Sequence, residues 1–275
     1  FVSGCSSHVR IWDAVTGAIK CCICHKDSEI TDFCIDDRGR KIFVADHSGQ
    51  IHAYNATTGC PIKKLTSHDE EVSGMIYCPG DKNIITVSWD HSIVVHDESE
   101  QTPNVWRMAT NVHLGDITCL AFSRHLGLIA TGATDCVIGI REYERLRTLS
   151  FLLGHKSEIT ALAFVDPLPL LVSADSTGNV AIWVVPTASG RNHRFANEVL
   201  TRFVNMQSLE SSASVNCLDP VYTDSEPVET LQSDTFLTGT DAGTSGAGTL
   251  LLYAGDEDGD LRVWDLSRLL VVADI

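Results

Sequence analysis

The chain has 275 residues, a formal net charge of −16, ten cysteines and 44% hydrophobic residues, ample for a core and too long for most single domains other than a barrel or repeat array. The acidic balance argues against nucleic acid and against an anionic membrane surface, both of which are gripped by Lys and Arg. No apolar stretch approaches the roughly 18 residues of a membrane span, and no signal peptide opens the chain.

The chain opens at Phe1 rather than methionine, so it is expected to be a segment of something longer. Its first readable unit ends a short apolar run on "HVRIWD", with Trp12-Asp13, followed by a turn "AVTGA" and a strand "AIKCCI". Forty-two residues on is "QIHAYN" with Tyr54-Asn55, and forty-two more brings "SIVVHD" with His96-Asp97. Then come "VIGIRE" with Arg141-Glu142 after 45, "NVAIWV" with Trp183-Val184 after 42, and "DLRVWD" with Trp264-Asp265 after 81. A second marker runs in phase. A histidine precedes each new apolar start in "CHKDSEI", "SHDEEV", "HLGDI" and "GHKSEI", giving His25, His68, His113 and His155. Between each histidine and the next Trp-like position lie two short apolar runs, such as "ITALAFV" and "LLVSA", of strand length with turn residues between them. A period of about 42 is the four-stranded blade of a propeller.

The pattern breaks after Trp183, where a longer connection from Pro186 to about Phe195 replaces a short turn. A second detour, residues 219–248, is rich in Ser, Thr, Asp, Glu and Gly and is expected to be an acidic surface insertion. From Phe203 to Leu261 there is no Lys, Arg or His, while Asp and Glu number eleven. Asp219, Asp224, Glu226, Glu229, Asp234 and Asp241 are therefore candidates for docking a basic partner. The cysteines do not resemble a disulfide scaffold. Most sit beside apolar residues, as in "TDFCI", and are expected to behave as small buried hydrophobes in a reducing, intracellular setting.

The phased "GH" at Gly154-His155, its weaker copies, the "WD" pairs and hairpins such as "DEDGDLRVWD" resemble the WD40 repeat family over almost the whole chain. The resemblance implies an all-β propeller over 1–275 with about six four-stranded blades visible, part of a seven-bladed ring or of a longer propeller chain. It also implies a buried network of histidine, strand hydroxyl, hairpin aspartate and tryptophan. Carried over by position, the network is His25, His68, His113 and His155 with Asp90, Asp135 and Asp258 and with Trp12, Trp183 and Trp264. Ser6, Ser48 and Thr177 stand where the other blades have the aspartate. The physical need is that a buried histidine requires partners for both ring nitrogens, since an unpaired buried polar group costs roughly 1–3 kcal/mol. The dense cluster "VSWDHSIVVHD" is then architecture rather than a catalytic or metal centre.

Other motifs fall to the same reading. "CCICH" lacks the second pair that a tetrahedral zinc site needs. "DEDGD" has Ser267 where a calcium loop needs a bidentate Glu, so Asp258-Gly259 reads as a hairpin turn. "NAT" at Asn55 matches a glycosylation sequon but falls in a blade turn, and the glycines from Gly239 to Gly248 lack phosphate-loop spacing. No catalytic residue, metal or cofactor is named by the sequence. By resemblance the expected role is a non-enzymatic protein-interaction scaffold in a multi-protein complex, cytoplasmic, with a basic-surfaced protein partner and neither nucleic acid nor membrane. Some copies look similar to WD-repeat proteins of cilia and the microtubule cytoskeleton. The alternatives are the propeller portion of an enzyme, or a recognition module for basic or modified peptides in the central channel.

Overall fold

The computed structural model describes residues 1–25, 28–99, 104–185, 199–203, 214–223 and 249–266. It is all antiparallel strand, arranged as six sheets. Blade 1 has β1 (Val2–Cys5), β2 (His8–Trp12) and β3 (Ile19–Cys24). Blade 2 has β4 (Ile30–Ile35), β5 (Lys41–Asp46), β6 (Ile51–Asn55) and β7 (Pro61–Lys64). Blade 3 has β8 (Val72–Cys78), β9 (Asn83–Ser88), β10 (Ile93–Asp97) and β11 (Asn104–Ala109). Blade 4 has β12 (Ile117–Ser123), β13 (Leu128–Ala133), β14 (Val137–Glu142) and β15 (Thr148–Leu153). Blade 5 has β16 (Ile159–Phe164), β17 (Leu170–Asp175), β18 (Val180–Val184) and β19 (Val199–Phe203). Blade 6 has β20 (Val215–Thr223), β21 (Thr249–Asp256) and β22 (Leu261–Asp265). Each sheet pairs its strands in sequence order, and the first strands of consecutive blades, β4, β8, β12, β16 and β20, lie side by side. That is a propeller. Asp219, the first residue of the expected insertion, lies instead in β20, opposite Tyr253. No helix among the described residues is long and apolar enough to cross a membrane.

The core sits between blades. Ile42 and Val44 of β5 pack back onto Val9 and Ile23 of blade 1, while Phe43 and Ala45 of the same strand pack forward onto Val72, Met75 and Ile84 of blade 3. Both faces of β5, β9, β13 and β17 are therefore buried, which is why "KIFVAD", "NIITVS" and "LLVSAD" read as near-continuous apolar runs instead of alternating ones. The cysteines correct an expectation. All ten are free, but Cys78 alone is buried, and Cys5, Cys22, Cys24, Cys60 and Cys217 are exposed. An apolar neighbour in sequence does not bury a residue when successive side chains point to opposite faces.

The blades are stitched along the axis by a second periodic feature. Thr31 Oγ1 donates to the Val72 carbonyl at 2.6 Å and Thr160 Oγ1 to Val215 at 2.5 Å. Ser73 and Thr118 make the same bond to Ile117 and Ile159. Each hydroxyl follows the apolar residue that opens the first strand, in "EIT", "EVS", "DIT" and "EIT".

Candidate functional site: the histidine networks and the acid-rich end

Antiparallel order puts the loop entering each blade and the hairpin between its second and third strands at one end of the propeller. The backbone ties the two together: His47, Trp89, Thr134 and Ser176 N–H groups donate to the carbonyls of Glu29, Glu71, Asp116 and Glu158. Gly49 sits in one such hairpin at φ +80, where an added Cβ would come within 2.6 Å of the His68 and Glu70 carbonyls. Only glycine tolerates both the left-handed backbone and that approach.

Beneath this end lie the histidines. In blade 5, His155 Nδ1 meets Asp175 Oδ2 at 2.8 Å and Nε2 meets Ser173 Oγ at 2.6 Å. The buried Trp183 donates its Nε1–H to the same Ser173 Oγ at 2.8 Å. In blade 3, His68 Nδ1 is 2.9 Å from Asp90 Oδ2 and Nε2 is 2.8 Å from Thr86 Oγ1. His96, in the tryptophan's place, sets Nε2 3.0 Å from Thr86 Oγ1. In blade 4, His113 lies 3.2 Å from Asp135 Oδ2 and 2.8 Å from Thr131 Oγ1, and Arg141 stands in the tryptophan's place. Burial holds the His113 ring below the ordinary histidine range, and burial with neighbouring His68 brings His96 to about 3.

The aspartates occupy two positions, not one. In blades 3 and 4 the carboxylate stands in the hairpin, at Asp90 and Asp135. In blades 2 and 5 it stands two residues earlier, at Asp46 and Asp175, the ends of β5 and β17. There Oδ2 takes the histidine, while Oδ1 accepts the backbone N–H and hydroxyl of Ser48 or Thr177. Ser48 and Thr177 are thus partners of a displaced aspartate. Asp258 was expected in this network and is instead exposed at the tip of its hairpin. Asp256, two residues earlier, accepts from Asp260 N and from Arg262 Nη2, each at 2.8 Å. Hydrogen bonds from His155 and the hairpin outweigh burial and bring the Asp175 carboxyl to about 2; Asp46 and Asp90 are also held below the carboxylate range.

Blade 1 has a hairpin one residue shorter. Trp12 Nε1–H therefore finds Ser3 Oγ at 2.8 Å, nine residues before it, where Trp183 reaches back ten. The shortening moves Ser6 out of the register in which it was counted. Trp264 is half-buried against the core shared by blades 5 and 6. Sequence reasoning missed Asp46, Asp175 and Asp256, yet a signal existed: "ADHSGQ", "ADSTGN" and "GDEDGD" all place Asp three residues before a glycine.

The surface of this end is acidic. Glu29, Asp69, Glu70, Glu158, Glu257 and Asp258 are exposed in its loops and hairpins, where Lys156 is the one lysine or arginine of the loops among the described residues, with Lys64 and Arg262 reaching Gln50 and Asp256 from neighbouring strands. The opposite end mixes signs, with Arg38, Arg40, Lys82, Arg124, Arg145 and Arg147 beside Asp37, Asp81 and Glu144. Two large apolar side chains stand among the acids, Trp89 at 37% and Leu114 at 96% exposure. Of the docking candidates, Asp219 is exposed on β20, and Asp224, Glu226, Glu229, Asp234 and Asp241 lie outside the described residues.

Comparison with known proteins agrees with this geometry. The WD40 family (WD domain, G-beta repeat) matches residues 59–97, 107–140 and 144–184. Cilia- and flagella-associated protein 337 B of Tetrahymena thermophila is 25% identical over 191 residues, 68% of this chain and 15% of that protein. U3 small nucleolar RNA-associated protein 21 of Saccharomyces cerevisiae is 25% identical over 146 residues, 53% of this chain and again 15% of the relative's length. The chain thus spans a small part of each relative. The computationally designed Ika8 protein shares the fold at a TM-score of 0.67 and 20% identity, over 97% of this chain and 68% of its own.

Proposed function

Since the chain is a WD40-repeat propeller, we propose that it serves as a non-catalytic docking platform within a larger assembly, and that its acid-rich end receives a protein partner with a basic surface. The observation that carries this reading is the segregation of charge: acids crowd one end while cations mix with acids at the other. Exposed ion pairs are individually weak, at most about 1 kcal/mol, so the gain comes from many acting together and from faster encounter. Trp89 and Leu114 supply the apolar anchors that a charged rim alone lacks. Acidic surface also disfavours RNA or DNA as the direct ligand.

We propose a cytoplasmic setting in the cilium or the cytoskeleton. It is supported by the similarity to the ciliary protein of Tetrahymena, a relative that names a location and not a mechanism. A propeller enzyme is the weaker reading, because the buried ionisable groups at this end are engaged with one another through the repeat. The test is to replace Glu70, Glu71 and Asp116 by their amides, then measure capture of the native partner at low and high salt. The change is expected to weaken binding and flatten its salt dependence. Unchanged affinity and salt slope would contradict the proposal.

A further inference from the structure

In blade 2 three side chains from three elements converge, the one such group among the described residues. They are His25 in the loop before β4, Asp46 at the end of β5 and His52 in β6. Their ligating atoms all lie within 4.8 Å of one another, and the residues are 1%, 0% and 5% exposed. Register explains why the cluster forms in this blade and not in blades 3, 4 or 5. The strand hydroxyls Thr86, Thr131 and Ser173 of blades 3, 4 and 5 stand opposite Val94, Gly139 and Ala181. At the same step in blade 2 the hydroxyl is replaced by Val44, and the residue opposite is His52. The blade loses one polar group and gains an imidazole beside a carboxylate.

We propose that His25, Asp46 and His52 form a binding site for a divalent transition-metal ion of the zinc class. Two imidazoles and one carboxylate are the nitrogen and oxygen donors such an ion takes, with a fourth position left to water. The surrounding groups already hold the donors as outer partners hold metal ligands. Asp46 Oδ1 is fixed by Ser48 N at 2.9 Å, Ser48 Oγ at 2.7 Å and Gln50 N at 3.0 Å, leaving Oδ2 aimed at His25 Nε2, 2.8 Å away. The other ring nitrogen of His25 is 2.9 Å from the Tyr54 hydroxyl. Bonds of about 2.0–2.2 Å to a tetrahedral ion set donor atoms roughly 3.3–3.6 Å apart, so the His25–Asp46 pair opens slightly and His52 closes in. Charge and protons balance simply. The ion takes the place of the proton on His25 Nε2, that proton moves to Nδ1, and the Tyr54 oxygen accepts it. Asp46 remains a carboxylate, and nothing need be oxidised or expelled.

The experiment uses chelator-treated protein with its thiols alkylated, because Cys21, Cys22 and Cys24 lie on neighbouring β3. Cobalt(II) and then zinc are added both to the folded chain and through refolding, since the donors are buried. The expected result is one equivalent of cobalt with a visible tetrahedral ligand-field spectrum free of thiolate charge transfer, displacement by zinc, and a raised melting temperature. His52→Val introduces the residue that blade 3 carries at this step and should abolish the spectrum and the shift; His52→Gln serves the same end if that variant does not fold. Tyr54→Phe should weaken zinc by about 10–100-fold. A wild-type chain that takes up no stoichiometric metal, or His52 variants that bind as the wild type does, would overturn the site and leave a histidine–aspartate pair that only supports the hairpin.

Discussion

At the scale of single residues, the displaced carboxylate separates neighbouring aspartates that look alike in sequence. Asp256 is almost completely buried at its side chain and holds Arg262, while Asp258 two residues on faces solvent. Asp256→Ala should therefore lower stability by roughly 1–3 kcal/mol and Asp258→Ala should have little effect, as read by denaturant unfolding. Equal losses would refute the register given for blade 6. Titration supplies a second prediction, with two opposed signs. His96 is held neutral to about pH 3, so between about pH 6.5 and 3 the unfolded chain takes up a proton that the fold refuses, and stability falls as pH falls. Asp32 behaves oppositely. Burial raises its carboxyl to about 6 although Phe33 N and Met75 N donate to it, so its contribution is lost as pH rises from about 4 through 6. His96→Phe should flatten the acid decline, by up to about 1.4 kcal/mol per pH unit. Asp32→Asn removes this opposing titration and should steepen that decline, while its amide nitrogen faces one of the two backbone donors and offsets the gain from losing the buried charge. Melting temperatures across pH 4–7 check both, and parallel curves for the two variants would count against these environments.

The strands and hairpins were the most legible elements, and the reason is geometric. Tryptophan-like positions mark where each third strand ends, and the spacing of 42 or 45 survives because blades differ only in their turns. What the spacing could not reveal was cross-strand register. Counting six residues back from the tryptophan position finds Asp90 and Asp135, but it misses Asp46 and Asp175, which meet the histidine from the strand end, and it fails in blade 1 where the hairpin is shorter. His52 was invisible for the same reason, because only pairing with Val44 brings it beside Asp46. The hydroxyls that join first strands were legible in principle as Thr or Ser after each opening Ile or Val. Thr118→Val keeps the shape and removes the bond to the Ile159 carbonyl, so it should cost about 1 kcal/mol and loosen the junction between blades 4 and 5. Hydrogen exchange should then quicken in β12 and β16 ahead of β8, and uniform quickening would argue against a junction held by this bond.

For the whole molecule, net charge was plain from composition, but its arrangement was not. Composition drew attention to residues 203–261, whereas folding collects Glu29, Asp69, Glu70 and Glu158 from separate blades onto one end. That gathering follows from antiparallel order, which returns every entry loop and every second hairpin to the same side. An acidic end of this kind carries some self-repulsion, which a basic partner would relieve. The most direct measurement is zero-length carboxylate-to-amine cross-linking of the native assembly, followed by identification of the joined peptides. The prediction is that partner lysines couple to Glu29, Asp69, Glu70 and Glu158 around Trp89 and Leu114. Couplings confined to Asp37, Asp81 and Glu144 at the opposite end would contradict it.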